Sequence, residues 1–314
     1  MMISELKANP KFKPKEKFSP SQLLTAKRCL RLWGYRYLQG LYETTPKRAT
    51  TFGSLIHACA ESYLGGGTVY GFHEDWRLQK ELSGFSDADL NAMRKDAPAR
   101  ALAGVPFLPV PRSKGLKSLL IEREVKLGTA QWSPSEDPIH LAGRVDLIVL
   151  LEDGQPYILD HKSTGGDKKK GKAGIWSYAL TPETLPDDTQ ATVYGLAVMQ
   201  ALGLEWIGLR WLYYLTNEKY SPQALPVDAV LTRPRAEENA AALVALALQL
   251  REYIRAGARV EDLPAPSNLP PAEESPCDAY GGCPYRTDRG GPCALPDSNM
   301  GALIASASIT KRKK

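Results

Sequence analysis

Asp160 and Lys162 are two residues apart in a stretch, Tyr157 to Ser163, that is rich in aliphatic residues. Side chains i and i+2 of a strand project from the same face, so a strand here would place the carboxylate beside the ammonium. Two roles suit such a pair. It can form a structural ion pair at a strand end. With a second carboxylate, it can instead hold a divalent cation and act on a phosphate group.

Asp146 is the candidate second carboxylate, in the β-branched stretch His140 to Leu151. Glu152 to Pro156 reads as a hairpin connection between the two stretches. An odd-length loop centred on Gly154 predicts that Asp146 lies opposite Lys162 and on its face. A two-residue turn would put Asp146 on the other face. The glutamine and proline after Gly154 favour the longer loop.

Two helical positions add candidate polar groups. His57 is four residues from Glu61, which places both on one helix face, although a lone helical histidine is usually a solvated residue. Gln190 and Tyr194 have the same spacing on a later predicted helix. A glutamine–tyrosine pair can bind a phosphate or stack on a base, and alone it is weak evidence.

Hydrophobic periodicity predicts the elements that must position these residues. Residues 68–115 are mixed and proline-bearing, which predicts an irregular helical insertion. The predicted helices are Pro20 to about Leu38, Ser54 to Leu64, Asp188 to Leu202 and Pro234 to Ala256, and the predicted strands are Leu119 to Leu127, His140 to Leu151, Tyr157 to Ser163 and Trp206 to Thr216.

The order of these motifs resembles the RecB-like branch of the PD-(D/E)XK nucleases, which includes the AddB nuclease domain and CRISPR-adaptation exonucleases. The matching segments are Gly53 to His57, Gly143 to Asp146, Asp160 to Lys162 and Gln190 to Tyr194. The resemblance covers about residues 18–295. It implies an α/β fold with a restriction-endonuclease-like core of helix, three strands, helix and strand.

That resemblance also implies an activity, the hydrolysis of DNA with Mg²⁺ or Mn²⁺ by an exonuclease in recombination, repair or processing. DNA that is single-stranded or has free ends is the expected partner, and recombination or repair proteins are possible further partners. The implied roles are metal binding by His57, Asp146, Asp160 and the main-chain carbonyl of His161, action on the attacking water by Lys162, and positioning of DNA by Gln190 and Tyr194. Glu61 matches no family position.

Two other functions are compatible with these residues. A catalytically silent DNA-binding subunit of a nuclease complex would keep the fold, but it has no need for the intact set of histidine, aspartates and lysine. A sequence-specific endonuclease of the restriction type would use the same set on internal sites. Cleavage of a circular substrate into discrete fragments distinguishes the endonuclease.

Four cysteines form a further candidate site, one near the start of the chain and three near its end: Cys29, Cys277, Cys283 and Cys293. Many RecB-like nucleases hold a 4Fe–4S cluster with this one-plus-three arrangement, which joins the ends of the domain. The local spacing here, C-x₅-C-x₉-C, departs from the usual C-x₂-C-x₅-C. Zinc is an alternative occupant of four thiolates, and an arrangement without metal is a third. Cys59 is predicted to be a buried thiol.

Charge and composition set weaker bounds. The net charge of +5 suits a protein that meets phosphates, but it discriminates little. The lysine-rich loop that follows Lys162 can be merely solvated or can contact the DNA backbone. Its candidate DNA-binding residues are Lys168, Lys169 and Lys170.

The organisation expected along the chain is a flexible segment, one nuclease domain and a tail. The segments are residues 1–17, a domain of residues 18–295 with a cysteine-rich part at 277–293, and a disordered basic tail of residues 296–314. No secretory signal and no membrane span is recognisable, which predicts a cytoplasmic protein.

Overall fold

The computed structural model describes residues 6–9, 11–45, 47–153, 156–166, 176–264, 277 and 283–293. These residues form two compact units. One contains the described parts of Met1–Glu16, Ser21–Thr45 and Leu248–Lys314, and the other contains Lys17–Pro20 and the described parts of Pro46–Ala247. The larger unit holds the central sheet.

The chain alternates helices and strands, which confirms the predicted α/β class. The helices are α1 (Pro20–Arg28), α2 (Leu30–Tyr37), α3 (Arg48–Leu64), α4 (Trp76–Leu82), α5 (Asp87–Gly104), α6 (Thr189–Leu202) and α7 (Arg233–Arg255). The strands are β1 (Leu6–Ala8), β2 (Lys17–Phe18), β3 (Leu41–Glu43), β4 (Leu116–Leu127), β5 (His140–Leu151), β6 (Tyr157–Thr164), β7 (Trp206–Leu215) and β8 (Ala224–Thr232).

The central sheet runs in the order β2-β5-β6-β7-β8, and β4 pairs with β5. β5 and β6 are antiparallel, whereas β6 and β7 are parallel and are connected through α6. A parallel connection needs such a crossover. β4, β5 and β6 are thus the three predicted strands, α6 is the predicted helix and β7 is the predicted strand.

The register between β5 and β6 differs from the prediction. Leu147 lies opposite Leu159 and Val149 lies opposite Tyr157, so the next position along places Asp146 opposite Asp160 rather than Lys162. The pairing of the two strands is therefore centred on Asp153, one residue before the predicted centre at Gly154. The number of residues between the last paired positions is nevertheless odd, as predicted.

Two of the predicted helices have clearly different bounds in the structure, and one strand was missed. The helix predicted from Pro20 to Leu38 is broken at Cys29, whose backbone is extended, with φ −164° and ψ 115°. Cys29 Sγ accepts a hydrogen bond from Leu32 N at 3.4 Å and thereby caps α2. The helix predicted from Ser54 begins earlier, at Arg48. β8 was not predicted, because Pro226 and Asp228 disguise an edge strand.

A hydrophobic core fixes α3 and α5 against one face of the sheet. α3 contributes Phe52, Leu55 and Ile56, and the sheet contributes Leu147 and Leu212, all of them buried. Burying an aliphatic or aromatic side chain of this size contributes about 1.5–3 kcal/mol. α3 is therefore held firmly where it presents its polar positions to the strands.

The smaller unit is assembled around short pairings and aromatic contacts. β1 pairs antiparallel with β3. Tyr285 stacks on Tyr35 with ring centroids 5.2 Å apart and donates a hydrogen bond to Leu41 O at 2.6 Å. Val260 and Leu263 pack over Gly34 of α2. Residues distant in sequence are thus brought together in this unit.

No helix in the described ranges is long and apolar enough to cross a membrane.

Candidate active site

Asp160 and Lys162 lie on β6 and form an ion pair between Oδ2 and Nζ. Asp160 is buried, and Lys162 also donates to Gln190 Oε1 at 2.5 Å. Its ammonium lies 5.5 Å from the centroid of the Trp211 ring, a distance at which a cation and an aromatic face attract. The ammonium is held by three neighbours from β6, α6 and β7.

Asp146 lies at the point where the pairing of β5 with β6 ends. Its Oδ2 accepts a hydrogen bond from the backbone N–H of His161 at 2.8 Å. The same oxygen lies 4.0 Å from Nδ1 of His57, which reaches it from α3. The structure therefore brings together His57, Asp146, Asp160 and Lys162, which the sequence places up to about 100 residues apart.

Burial controls the charge of these groups. It raises the pKa of Asp146 and of Asp160 to about 6, and the negative charge of Asp146 adds to the rise at Asp160. Burial lowers the pKa of His57 to about 4. Burial also disfavours the ammonium of Lys162, but the carboxylate of Asp160 outweighs it and raises the pKa. At neutral pH the centre holds two carboxylates, one ammonium and a neutral imidazole.

The His161 side chain makes contacts that the sequence did not reveal. Its Nδ1 is 3.1 Å from the hydroxyl of Tyr214, and its ring centroid is 5.4 Å from that of His57. Nε2 of His161 is buried without a hydrogen-bond partner. The group of His161 that contacts Asp146 is the backbone N–H, whereas the prediction concerned its carbonyl.

Gln190 and Tyr194 lie next to the centre on α6. Asp188 caps this helix by accepting from the N–H groups of Gln190 and Ala191 at 2.8 and 3.1 Å. Gln190 Nε2 donates to the hydroxyl of Tyr194 at 3.3 Å, while its Oε1 accepts from Lys162. The pair is thus connected directly to the ion pair on β6.

Two glycines of the recognised motifs have steric roles. A Cβ on Gly143 would lie 2.5 Å from Cε1 of Tyr194. A Cβ on Gly53 would lie 2.7 Å from the hydroxyl oxygen of Ser163. Such distances are too short for real contacts, so each glycine lets a helix approach a strand closely. Gly143 makes room for Tyr194, and Gly53 brings α3 and His57 near β6.

Glu122 of β4 is a neighbouring carboxylate whose charge acts on Asp146, and sequence patterns did not identify it. It forms an ion pair with Arg144, and its backbone has a left-handed φ of 51°. Burial and the charge of Glu122 raise the pKa of Glu61, so Glu61 of α3 lies close to Glu122. In the sequence, Glu122 is simply a charged residue of a predicted strand. Hydrophobic periodicity does not show that its backbone is irregular or that it lies near Asp146.

The donor set suits a hard divalent cation. Mg²⁺ prefers oxygen ligands, keeps several waters, and is held by one or two carboxylates together with substrate phosphates. Asp146 and Asp160 supply that number of carboxylates, and burial raises the pKa of both although Lys162 pairs with Asp160. Within the described ranges, no three His, Cys, Asp or Glu side chains are grouped closely enough to enclose a metal ion by themselves.

The cysteines of the second predicted site belong to the smaller unit. Burial raises the pKa of Cys29, and the charges of Cys277 and Cys283 add to the rise. The pKa of Cys283 is raised in the same way, by burial and by Cys277 and Cys293. Cys29 therefore lies within electrostatic range of Cys277 and Cys283, and Cys283 within range of Cys277 and Cys293. Their chemistry suits soft metals, although they are not grouped as a closed ligand set.

Two further predictions about cysteines and lysines have separate outcomes. Cys59 of α3 is fully buried in the core, and burial raises the pKa of its thiol to about 12, as expected for a structural cysteine. Lys168, Lys169 and Lys170 lie outside the described residues. The predicted basic tail, residues 296–314, also lies outside them.

Comparison with known families identifies the class of protein. A model of the PD-(D/E)XK nuclease superfamily matches residues 17–287. The chain therefore belongs to the PD-(D/E)XK nuclease superfamily. A search of curated protein sequences gives no match.

Two solved structures are similar to this chain. One is a candidate exonuclease from Eubacterium rectale, with 14% identity and a TM-score of 0.47, covering 81% of this chain and 91% of that protein. The other is SSO0001, with 12% identity and a TM-score of 0.27, covering 63% of this chain and 74% of that protein. The membership of the superfamily depends on the family match and not on these structures.

Proposed function

We propose that this protein is a Mg²⁺- or Mn²⁺-dependent deoxyribonuclease of the RecB-like branch that hydrolyses DNA from its ends. The observation that carries the proposal is the convergence of His57, Asp146, Asp160 and Lys162 at the end of the β5–β6 pairing. Burying these charges together without a cation or substrate is costly. A metal-binding, phosphate-binding role accounts for that cost.

Asp146 and Asp160 are the proposed anionic metal ligands, and His57 and the carbonyl of His161 are further candidates. A bound divalent cation supplies charge neutralisation on the phosphate and a water of lowered pKa. Asp146 keeps one oxygen in a hydrogen bond with His161 N, which orients the carboxylate. The side chain is therefore held in place before a metal arrives.

Lys162 is the proposed catalytic cation. Asp160 and Gln190 hold its Nζ at a defined position, and an ammonium there can donate a hydrogen bond to a water or to a phosphate oxygen. The carboxylate keeps the amine protonated. Lys162 therefore acts as a hydrogen-bond donor and as an electrostatic partner of the negative charge that develops on phosphate.

Gln190 and Tyr194 are proposed to position DNA beside the reacting phosphate. Both have polar groups connected to Lys162, so a contact with the DNA backbone at α6 would be transmitted to the reaction centre. Lys168, Lys169 and Lys170 follow β6 in sequence. We propose that they contact DNA phosphates, which would make binding salt-dependent.

The decisive assay uses purified protein with end-labelled single- and double-stranded DNA, with and without Mn²⁺. We expect metal-dependent loss of label from the ends, and resistance of a covalently closed circle. Asp160→Asn should lower the rate by about 10³-fold or more, because charge stabilisation at the phosphate is lost. The matched control is Glu124→Gln, an exposed residue of β4.

Three results would change the proposal. Metal-dependent binding without cleavage would favour the DNA-binding subunit. Discrete fragments from the circle would favour the endonuclease. Full activity of Asp160→Asn would remove the assigned centre.

A 4Fe–4S cluster on Cys29, Cys277, Cys283 and Cys293 is proposed as a structural cofactor. The support is that Cys29 lies near Cys277 and Cys283, and Cys283 near Cys277 and Cys293, closely enough for these neighbours to add to the rise that burial causes in the pKa of Cys29 and of Cys283. Cys283 N donates to Cys277 O at 2.7 Å, and Cys293 N donates to Tyr285 O at 2.6 Å, so the backbone also draws these residues together. Iron and zinc analysis of protein purified without oxygen distinguishes the cluster from a zinc site.

The wider context follows only from the resemblance. We propose one nuclease domain over residues 18–295, acting in the cytoplasm in DNA recombination, repair or processing with partner proteins of those systems. The family match over residues 17–287 supports the extent of the domain. Sensitivity of a deletion strain to DNA-damaging agents would test the role in repair.

A further inference from the structure

A concave pocket lies between the segment 176–182 and the edge strand β8. It has a volume of about 610 Å³. Its apolar lining includes Trp176, Leu180, Pro182, Leu225 and Val227. This volume lies within the range of roughly 300–1,000 Å³ that is typical of small-molecule pockets.

The register of the sheet connects this pocket to Lys162. Lys162 lies opposite Tyr213 on β7, and Tyr213 lies opposite Leu225 on β8. Residues directly opposite each other share a face, so Leu225 faces the same side of the sheet as the reaction centre. Two strand spacings of about 4.8 Å separate them, or about 10 Å. A stacked strand covers that distance in about three nucleotides at ~3.4 Å each.

Contacts at the pocket wall hold it in this position. The hydroxyl of Tyr213 accepts a hydrogen bond from Leu180 N at 3.1 Å, which ties the segment 176–182 to β7. Asp228 is the acidic residue of the lining, and Arg210 pairs with both of its oxygens at 2.6 and 2.8 Å. The wall therefore presents an aromatic and aliphatic surface without unbalanced charge, which suits an uncharged planar group better than a phosphate or a cation.

We propose that this pocket receives a nucleobase of the substrate strand, within about three nucleotides of the phosphate at Lys162, with Trp176 as its stacking partner. The proposal rests on the proposed nuclease function and specifies its substrate class. A base that enters the pocket has left its partner strand, since a duplex cannot enter. The preferred substrate is therefore single-stranded DNA or a frayed end.

The test measures binding rather than cleavage. Single-stranded oligonucleotides carrying one abasic site at successive positions are bound to the Asp160→Asn protein, which leaves them intact. We expect one or two adjacent positions at which loss of the base weakens binding by about 5- to 150-fold, the range for stacking of one base on an aromatic side chain. Adding Trp176→Ala should weaken binding of the intact oligonucleotide similarly and abolish the effect of the abasic site.

Trp76→Ala is the matched control, because Trp76 is an exposed tryptophan on α4. A flat abasic profile, or a profile that Trp176→Ala leaves unchanged, would overturn the proposal. A Trp176→Ala protein that is less stable but binds DNA normally would also overturn the proposal. In that case Trp176 would pack against the rest of the chain and would not be a stacking partner for a base. If the abasic profile depends on position but the wild-type protein cleaves no DNA, the proposal for the pocket stands and the proposed nuclease function is rejected.

Discussion

The molecule has two regions with buried or partly buried ionisable groups, and their side chains are positioned in different ways. They are the carboxylate centre (His57, Asp146, Asp160 and Lys162) and the cysteine cluster (Cys29, Cys277, Cys283 and Cys293). At the centre, β6, α6 and the end of β5 fix the side chains through hydrogen bonds to Asp146 and Lys162. In the smaller unit, Cys29 is separated from the other three cysteines by about 250 residues of sequence. A few backbone bonds and an aromatic stack accompany them.

This difference separates a preorganised site from a cross-link. Regular elements and hydrogen bonds hold the side chains of the carboxylate centre, so we expect a cation there to contribute to reactivity rather than to folding. The cysteines lie at the two ends of a very long loop, and a metal bound by all four would close it and stabilise the unit chiefly by that closure. Substitutions at the carboxylate centre should therefore lower activity more than stability, and substitutions of the cysteines should lower stability more than activity.

Asp146→Asn should produce the largest loss of activity. We expect cleavage to fall by about 10³-fold or more, because the amide cannot neutralise a metal ion. Stability of the metal-free protein at pH 8 should rise by about 1–3 kcal/mol, since the buried carboxylate with its raised pKa is replaced by a neutral group. Denaturant unfolding in the presence of a chelator measures this. Loss of stability with unchanged activity would invert the comparison.

Cys29→Ser should have the opposite balance. We expect loss of bound iron and of visible absorbance, together with a thermal midpoint lower by 5 °C or more, because the loop between the ends of the chain is no longer closed. Residual soluble protein should keep measurable cleavage. Cys59→Ser provides a control thiol outside the cluster. Equal iron content in the Cys29 variant and the wild type would show that Cys29 is not a ligand of the proposed cluster.

Acidification should weaken metal binding at the carboxylate centre by about 100-fold between pH 8 and pH 5. Both Asp146 and Asp160 have pKa values raised to about 6, so two protons compete with the cation, each with about a tenfold effect per pH unit below 6. Raising the Mn²⁺ concentration should restore cleavage. A rate at limiting Mn²⁺ that is constant from pH 8 to pH 5 would contradict these shifts.

The sign for stability is the reverse in metal-free protein. Protonation of Asp146 and Asp160 stabilises the folded state as the pH falls through about 6, because their folded pKa values exceed the unfolded ones. His57, with its pKa lowered to about 4, opposes this between about 6.5 and 4. Chelated protein should therefore lose less stability on acidification than metal-loaded protein, as thermal unfolding at both pH values would show.

Gly143→Ala should have the smallest effect, a reduction in cleavage of about tenfold. The added Cβ would displace the Tyr194 ring and, through it, Gln190 and Lys162. We expect the affinity for DNA to fall more than the turnover rate does. Gly115→Ala is a control at a glycine with no atom near its missing Cβ, although its φ of 86° adds a backbone cost. A KM equal to that of the wild type in the Gly143 variant would contradict the proposal that Gly143 makes room for the Tyr194 ring.

Periodicity and local motifs were sufficient to predict most of the core. The hairpin of β5 and β6, the crossover through α6 and the side-by-side position of Asp160 and Lys162 all follow from local pattern. These features depend on alternation and helix caps, which a single sequence displays directly.

Features set by long-range contacts were not predictable in this way. The register that places Asp146 opposite Asp160 depends on where the hairpin closes, which composition does not determine. Tyr214 reaches His161 from a strand more than 50 residues later, and no spacing rule connects the two. The pocket beside Trp176 needs β8, an edge strand whose proline and aspartate hide its alternation.

The hydrogen bond from His161 N to Asp146 makes one amide proton a reporter of the whole centre. The side chain of Asp146 accepts it just beyond the last paired residues of β5 and β6, where a strand partner would otherwise be expected. A carboxylate accepts a hydrogen bond more strongly than a carboxylic acid does. The exchange rate and chemical shift of that single amide should therefore follow the charge on Asp146, and they give a readout of metal occupancy that needs no substrate.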